Sequence, residues 1–295
     1  MIAMKSSSVP LAHSARAGHP ASRPIRLGAV SFANTRPLVW ALEESPQADL
    51  QLSFDHPAAL AQQLREGRID VGLIPVVEAL RGVGACAVAG VSIASVGPVW
   101  SVKLLGRELP AGDCHHLRRV GVDYRSRSSV ALLRALLDML HGPKVQFEPI
   151  DPMRELDSTG VPLAPELDAA LVIGDRAMEF PGGWDLGEEW TRRTGLPFVY
   201  ALWVARSREV AATVGPKLRA ARDRGLSGLT DYLRRDPFAS GGKGPFLARY
   251  LTEAIDYRLT DRHRQGIACY ARLVGLEREL EYERELGACR VEAQR

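Results

Sequence analysis

The regular alternation of short apolar runs with stretches of helical periodicity, from Ile25 onward, limits what this chain can fold into. Ile25–Val30, residues 70–75 and Ala169–Ile173 are apolar runs of strand length. Pro57–Arg65 and residues 128–140 carry apolar side chains at helical spacing. Strands that alternate with helices in this way are typical of a mostly parallel sheet with crossover helices. The sequence therefore predicts an α/β fold.

The order of the remaining segments predicts two lobes. Two strand-like pieces occupy residues 91–105 on either side of a Gly-Pro turn, and further strands are expected at 119–123 and 198–204. From Arg208 onward the chain carries helical periodicity alone. A chain that completes one α/β unit, builds a second and returns with terminal helices crosses twice between the units.

These crossings are expected near residues 103–118 and 200–207. Lobe 1 then comprises residues 25–105 and 205–295, and lobe 2 comprises residues 106–204. Ligands of such folds bind where successive loops converge at the carboxyl ends of the strands.

The amino-terminal segment has a different character. Residues 1–24 are rich in Ser, Ala, His and Pro and have no periodicity, which predicts a disordered leader or tail. They lack the apolar run of roughly 7–15 residues that a secretory signal needs, so the predicted location is cytoplasmic. Residues 82–102 carry no charge, but glycines and a proline interrupt them. Buried strands joined by a turn are therefore expected there, and no membrane association.

The charge and the cysteines exclude several classes of protein. The net charge is +3, yet Lys5, Arg16, Arg23 and Arg26 contribute +4 in a stretch without acids, so the rest sums to −1 (3 − 4). A nucleic-acid-binding protein usually has a basic patch on its folded part, so no nucleic-acid partner is expected. The four cysteines form no CxxC pair and the seven histidines no HExxH spacing. Free thiols and no metal site are therefore predicted.

Four loops that follow predicted strands carry small polar residues and are candidates for a ligand site. They lie at residues 31–36, 95–101, 126–129 and 174–175. In the third loop Ser126, Ser128 and Ser129 precede a helix, whose free N–H groups and dipole attract an anion, and Arg125 and Arg127 add positive charge. A plain serine N-cap explains the same residues, and both readings stay open.

Asn34, Arg36 and Asp175 have ordinary explanations as well. Asn34 fits a turn or a helix cap, Arg36 a surface ion pair, and Asp175 a turn or cap, although each residue type also binds small polar ligands. Trp100 and Tyr200 are expected to pack in the core or between the lobes. The residues alone thus indicate a two-lobed α/β protein that binds a small anion.

Six short motifs together resemble the chorismate dehydratase family. Residues 31–38 (SFANTRPL) are similar to the family opening S-Y-x-N-T-x-P-L, and residues 93–102 (IASVGPVWSV) to I-x-S-x-G-P-V-x-S-V. Phe32 replaces the more usual Tyr, which removes a hydroxyl group, and Ser128 replaces Thr, which keeps one. The motifs occur in family order at residues 31–38, 70–78, 93–102, 126–129, 171–175 and 194–201.

The resemblance implies a periplasmic-binding-protein-like (type 2) fold, with mixed sheets flanked by helices and a ligand cleft between the lobes. It implies conversion of chorismate to 3-[(1-carboxyvinyl)oxy]benzoate by loss of water, in futalosine-dependent menaquinone biosynthesis, without a cofactor or metal. Asn34 is the implied catalytic residue. The implied substrate-binding residues are Ser31, Thr35, Arg36, Ser95, Ser101, Ser126, Arg127, Ser128, Ser129, Gly174 and Asp175.

The proton-abstracting base is not evident from these motifs, because Asp175 is the only acid in the four loops and none contains a histidine. Our hypothesis is that the enolpyruvyl carboxylate of the substrate takes the proton while Asn34 orients it or the leaving hydroxyl. Two alternatives remain: the 1,4-dihydroxy-6-naphthoate synthase of the same pathway, and a non-catalytic protein that binds or senses a small anion.

Overall fold

The computed structural model describes residues 23–107, 109, 114–142, 144–235, 243–276 and 280–283. The strands in this part of the chain are β1 (Ile25–Val30), β2 (Leu50–Asp55), β3 (Val71–Pro75), β4 (Cys86–Ser95), β5 (Val102–Gly106), β6 (Arg119–Asp123), β7 (Gln146–Ile150), β8 (Ala169–Ile173), β9 (Trp184–Asp185), β10 (Phe198–Ala205) and β11 (Asp256–Leu259).

The helices alternate with these strands in the first two thirds of the chain and dominate the last third. They are α1 (Arg36–Glu44), α2 (Pro57–Arg65), α3 (Val76–Leu80), α4 (Ser128–Met139), α5 (Asp175–Met178), α6 (Leu186–Thr194), α7 (Arg208–Ser227), α8 (Leu229–Arg235), α9 (Gly244–Arg249) and α10 (Asp261–Leu273). A 3₁₀ turn, Ala33–Thr35, precedes α1, and a π-helical turn, Tyr250–Ala254, follows α9.

The strands form two mixed sheets, as predicted for the α/β fold. The first sheet has the order β11-β4-β10-β3-β1-β2, and the second has the order β7-β6-β8-β5-β9. β1 runs parallel to β2 and β3, and β10 pairs antiparallel with β3 and β4. In the second sheet β6 runs parallel to β7 and β8, and β5 pairs antiparallel with β8 and β9.

The core of the first sheet forms because its inner strands are largely apolar and helices cover them. Every residue of β3 is buried, as expected of a strand covered on both faces. Pro37 lies in the first turn of helix α1, where the helix needs no N–H from it, and α1 packs against α7. The close approach requires Gly225, because a Cβ there would lie 1.7 Å from the carbonyl oxygen of Pro37.

The sheet membership of β5 and β10 differs from the predicted lobe boundaries. The prediction placed residues 25–105 and 205–295 in lobe 1 and residues 106–204 in lobe 2. β5 instead pairs with β8 in the second sheet, and β10 pairs with β3 and β4 in the first. The chain therefore changes sheets at residues 96–101 and 195–197 rather than near 103–118 and 200–207. Hydrogen bonds to strands distant in sequence decide this membership, and local composition does not reveal them.

The prediction that the chain is all-helical from Arg208 onward is wrong, because β11 lies at the edge of the first sheet and pairs with β4. Leu251, Ile255 and Leu259 are four residues apart and imitate a helical stripe. The strand itself buries Tyr257 and Leu259 and exposes Arg258 between them. This alternation has a period of two, as in any half-buried strand.

The remaining sequence predictions concern the chain ends, the thiols and the membrane. Residues 1–22 of the predicted leader lie outside the described residues, whereas Arg23 is described and forms an ion pair with Asp70 at 3.0 Å. Cys86 and Cys269 are free thiols, and Cys289 lies outside the described part. Among the described helices, none is both long enough and apolar enough to cross a membrane.

Candidate functional site

A cavity with about 610 Å³ of empty space, part of it open to solvent, lies between the two sheets, at the carboxyl ends of β1, β3 and β8. We call it the inter-sheet cavity. Its lining residues are Val30, Phe32, Asn34, Thr35, Pro57, Leu73, Pro75, Ile93, Val99, Ser101, Val102, Arg125, Ser126, Arg127, Ser128, Ser129, Ile173, Gly174, Tyr200 and Ala201. The strand ends supply an apolar floor, and the loops that follow them supply the polar groups. This is the position that the sequence predicted for a ligand site.

The loop after β1 forms one polar wall of the cavity. The 3₁₀ turn Ala33–Thr35 holds this loop because the Thr35 N–H donates to the carbonyl oxygen of Phe32 at 3.0 Å. Thr35 is fully buried and Asn34 is half-buried. The Thr35 hydroxyl lies 3.5 Å from Asn34 Oδ1. The Asn34 amide thus reaches the cavity from a tightly built turn.

The first crossing segment, residues 96–101, is held by a single buried carboxylate. Asp185 accepts hydrogen bonds from the N–H groups of Val99 and Trp100 and from those of Gly187 and Glu188 at the start of α6. Burial raises the pKa of Asp185, and these four backbone donors act in the opposite direction. Their number explains why a carboxylate is tolerated here. The segment is thereby fixed to the second sheet.

The amino terminus of α4 forms the opposite wall and is not capped by a side chain. The Ser128 hydroxyl donates to the carbonyl oxygen of Tyr200 at 3.2 Å and lies 3.4 Å from the N–H of Val77, so it connects the two sheets. The Ser126 hydroxyl is buried and has no partner among the described residues. Uncapped N–H groups and an unpartnered hydroxyl at a helix start suit an anionic ligand.

Two arginines bring positive charge to this wall. Arg125 pairs with the buried Asp123, with its Nη2 2.7 Å from Oδ2, so its charge is largely balanced. Arg127 is exposed, and within the described part of the chain no carboxylate lies within ion-pair distance of it. The uncompensated cation at the cavity is therefore Arg127.

Gly174 and Asp175, which follow β8 of the second sheet, contact the loop after β1 of the first sheet. Gly174 has φ +69° and ψ −152°, a conformation open mainly to glycine, and a Cβ there would lie 3.1 Å from the Phe32 ring. The Asp175 carboxylate accepts from the N–H of Ala33, with oxygens 3.0 and 3.3 Å away. Burial raises the pKa of Asp175, and the bond from Ala33 opposes this shift.

The structure brings eight of the twelve predicted site residues to the cavity. They are Asn34, Thr35, Ser101, Ser126, Arg127, Ser128, Ser129 and Gly174. The other four lie outside its lining. Ser31 is exposed, and Arg36 contacts Tyr232 and Glu43. The Ser95 hydroxyl lies 3.2 Å from that of Tyr200, and Asp175 faces Ala33.

Sequence reasoning missed several residues at or next to the cavity. Tyr200 was expected only to pack, yet it lines the cavity and its hydroxyl bonds Ser95. Phe32 also contributes to the lining, although it was not among the predicted ligand contacts. Tyr250 donates to the Ser101 hydroxyl at 2.8 Å from behind the lining. Nothing local in sequence marks Tyr250, because it lies 149 residues from its partner.

Comparisons with known proteins identify the family and the fold. A sequence model of the family described as menaquinone biosynthesis matches residues 25–275. A curated relative, the chorismate dehydratase of Thermus thermophilus, is 29% identical over 278 residues, which cover 86% of this chain and 96% of the relative.

Solved structures resemble the whole architecture at low sequence identity. A protein from Archaeoglobus fulgidus superposes with a TM-score of 0.69 at 14% identity, covering 87% of this chain and 98% of that one. The periplasmic aliphatic sulphonate binding protein SsuA from Escherichia coli gives a TM-score of 0.58 at 17% identity, with coverages of 88% and 96%. The predicted periplasmic-binding-protein-like fold is confirmed.

Proposed function

Because the chain belongs to the menaquinone biosynthesis family, we propose that it is a chorismate dehydratase, a hydro-lyase that makes 3-[(1-carboxyvinyl)oxy]benzoate in the futalosine route. The observation that carries the proposal is a cavity with one cationic wall and, among its described lining residues, no carboxylate or imidazole. Such a site suits a dianionic substrate. The futalosine route and a cytoplasmic location remain predictions.

Chorismate presents two carboxylates and a ring hydroxyl, and the cavity offers different groups to each. Arg127 and the uncapped N–H groups of α4 are suited to bind one carboxylate, with the Ser126 and Ser129 hydroxyls beside them. The apolar floor of Val30, Leu73 and neighbouring strand ends suits the carbon ring.

The reaction removes the proton at ring C3 and the hydroxyl at C4, and a water molecule leaves. The C3–H bond is conjugated through the C1–C2 double bond to the ring carboxylate, so proton removal gives an extended enolate. Donors fixed around that carboxylate stabilise the developing charge. The C4 hydroxyl then takes up the abstracted proton and leaves as water, and the ring becomes aromatic. These steps need no oxidant or reductant.

We assign the role of base to the enolpyruvyl carboxylate of the substrate. The charged side chains in the described lining are Arg125 and Arg127, and neither accepts a proton at neutral pH. Asp175, the acid suggested by sequence, lies outside the lining with its carboxylate on the Ala33 N–H. Asn34 lies in the lining and has both a donor and an acceptor with which to orient the carboxylate or the hydroxyl.

The first test is incubation of the purified protein with chorismate, followed by liquid chromatography and mass spectrometry. A product lighter by one water and with aromatic absorbance supports the dehydratase. Saturable binding of chorismate without turnover favours a sensor of small anions. If the protein neither binds nor converts chorismate, the proposal is overturned and the naphthoate synthase is favoured. The protein is then assayed with the substrate of that enzyme.

The second test concerns the base. We expect Asp175→Asn to retain kcat within about threefold, because an amide oxygen can still accept from Ala33 while losing any capacity as a base. Loss of turnover with chorismate binding intact contradicts the substrate-assisted mechanism.

A further inference from the structure

A second hollow runs along α4, between this helix, the strands β6 and β7, and the helices α3 and α10. We call it the α4 groove. Val130, Ala131, Arg134 and Phe147 lie in its lining and outside that of the inter-sheet cavity. Its empty space is about 1410 Å³, part of it open to solvent, which is ample for a small organic molecule. The proposed reaction gives this space no role.

The α4 groove and the inter-sheet cavity share two lining residues, Ser126 and Arg127. These two residues therefore lie between the two spaces. The Ser126 hydroxyl is buried without a hydrogen-bond partner among the described residues, and the exposed Arg127 has no ion-pair partner there. A buried hydroxyl without a partner costs free energy, which a hydrogen bond from a ligand recovers.

Helix α4 presents two arginines to the groove. Arg127 immediately precedes the helix and Arg134 follows seven residues later, so the two lie on one face, about 10 Å apart along the helix axis. Val130 and Ala131 lie between them in the lining. Arg134 is exposed and, within the described part of the chain, has no ion-pair partner. The groove thus offers two long cationic side chains that can converge on one ligand, with apolar surface between them.

The other charged residues of the described lining largely cancel. Arg81 lies 2.8 Å from Glu78, and Asp123 lies 2.7 Å from Arg125. Asp138 is the remaining acid, one helical turn beyond the second arginine. Two cations without partners therefore face one acid, and the groove attracts anions most strongly at the end that it shares with the inter-sheet cavity.

Aromatic rings complete the lining of the groove. The Arg134 guanidinium lies over the Phe147 ring, with Cζ 4.6 Å from the ring centroid. A guanidinium stacked in this way keeps the N–H groups in its own plane free to donate to a carboxylate. Tyr124 also lines the groove and is 52% exposed. Rings, apolar side chains and a stacked cation together suit an aromatic ligand that carries carboxylates.

From this arrangement we infer that the α4 groove is a second ligand site, which binds a small aromatic dicarboxylate between Arg127 and Arg134. An Arg127 guanidinium bonded to that ligand is not available to substrate in the inter-sheet cavity. Occupation of the groove therefore weakens substrate binding without filling the substrate cavity. The site itself is independent of the proposed dehydratase function, whereas its effect on substrate binding rests on that function.

Calorimetric titration with benzene-1,3-dicarboxylate tests the site without turnover. We expect Arg134→Ala to weaken binding of this probe about tenfold or more, because a charge-assisted hydrogen bond is lost. Arg154→Ala removes an exposed arginine outside both linings and should leave binding unchanged. Asn34→Ala alters the inter-sheet cavity alone and should leave it unchanged as well.

Two results of the titration overturn the inference. One is the absence of measurable binding to the wild type. The other is binding that survives in Arg134→Ala and is lost in Asn34→Ala, because the probe then occupies the substrate cavity.

The pattern of inhibition distinguishes the two locations a second time. A ligand in the groove leaves the substrate cavity open, so KM for chorismate should rise with probe concentration to a plateau while kcat stays unchanged. In Arg134→Ala the same rise should need about tenfold more probe, and KM without the probe should stay within about threefold of the wild type. A rise without a plateau indicates direct competition and overturns the inference. A protein that binds the probe as expected but does not convert chorismate overturns the proposed function alone.

Discussion

The two polar walls of the inter-sheet cavity differ in charge and in how they are held. The wall after β1, with Asn34 and Thr35, is neutral, and its two side chains are hydrogen-bonded to one another. The wall at the start of α4, with Ser126 and Arg127, is cationic, and these two side chains have no hydrogen-bond partner among the described residues. The polar side chains of the neutral wall are therefore already hydrogen-bonded, whereas Ser126 and Arg127 of the cationic wall are available to a ligand.

This difference separates orientation from binding. Side chains that are already engaged have fixed directions, which suits the geometry of proton removal. Side chains without partners gain most when a ligand arrives, because a charge-assisted hydrogen bond forms where none existed. The neutral wall should therefore act on kcat and the cationic wall on KM.

Asn34→Ala is expected to have the largest effect. Removal of the amide leaves the substrate carboxylate without its orienting group, and we expect kcat to fall about 100-fold or more with a much smaller change in KM. Steady-state kinetics with chorismate measures both constants. Ser31→Ala in the same loop is the control, because Ser31 is exposed and outside the cavity. A rise in KM alone contradicts the division between the walls.

Arg127→Ala is expected to raise KM about 10- to 100-fold, since hydrogen bonds to charged groups contribute about 1.5–3 kcal/mol. We expect kcat to change less than about threefold. The KM of the wild type should rise with ionic strength more steeply than that of the variant. Arg134→Ala, within α4 but outside the cavity lining, is the control. A fall in kcat without a change in KM would show that Arg127 acts in the reaction step rather than in substrate binding, which contradicts the division between the walls.

Gly174→Ala tests whether contact between the walls matters for either task. The new methyl group lies against the Phe32 ring, so we expect a loss of about 1–3 kcal/mol in the free energy of unfolding and a severalfold fall in kcat. Gly182 also has a positive φ, but a Cβ there meets nothing within 4 Å. Gly182→Ala should therefore lose stability and keep its activity. Denaturant unfolding and steady-state kinetics distinguish the two variants.

The smallest effect is expected from the pH dependence of stability in Asp175→Asn. Burial raises the folded-state pKa of Asp175 above the unfolded value of about 4, so its contribution to stability is full below that value. The contribution is lost as the pH rises through the raised pKa. The stability of the variant relative to the wild type should therefore increase with pH over this window, by less than about 1 kcal/mol. A difference that is independent of pH contradicts this account.

The sequence predicted the elements whose signal is local. Ile25–Val30 and Ala169–Ile173 are apolar runs of strand length, and both are central strands. The strand Asp256–Leu259 was missed, because a four-residue edge strand has too few apolar residues to outweigh a helical pattern around it. Edge strands are stabilised by one neighbour and by burial on one face, and neither is visible in a short window.

Prediction of the site succeeded for loops and failed for individual partners. The loops after β1 and before α4 meet as expected, since the carboxyl ends of strands converge. Whether a given hydroxyl faces the ligand depends on groups far along the chain. Ser95 bonds Tyr200, 105 residues away, and Asp175 bonds Ala33, 142 residues away. Sequence spacing carries no information on such pairings.

Both crossing segments are attached to the same helix. Gly97 in the first donates to the Thr191 hydroxyl of α6 at 2.8 Å, and Gly195 ends α6 and begins the second. Each of the two connections between the sheets therefore contains a glycine at positive φ with open space where a Cβ would lie, and one helix holds both connections. Because a side chain at positive φ strains the backbone, alanine at either position is expected to destabilise its connection without adding a contact to it.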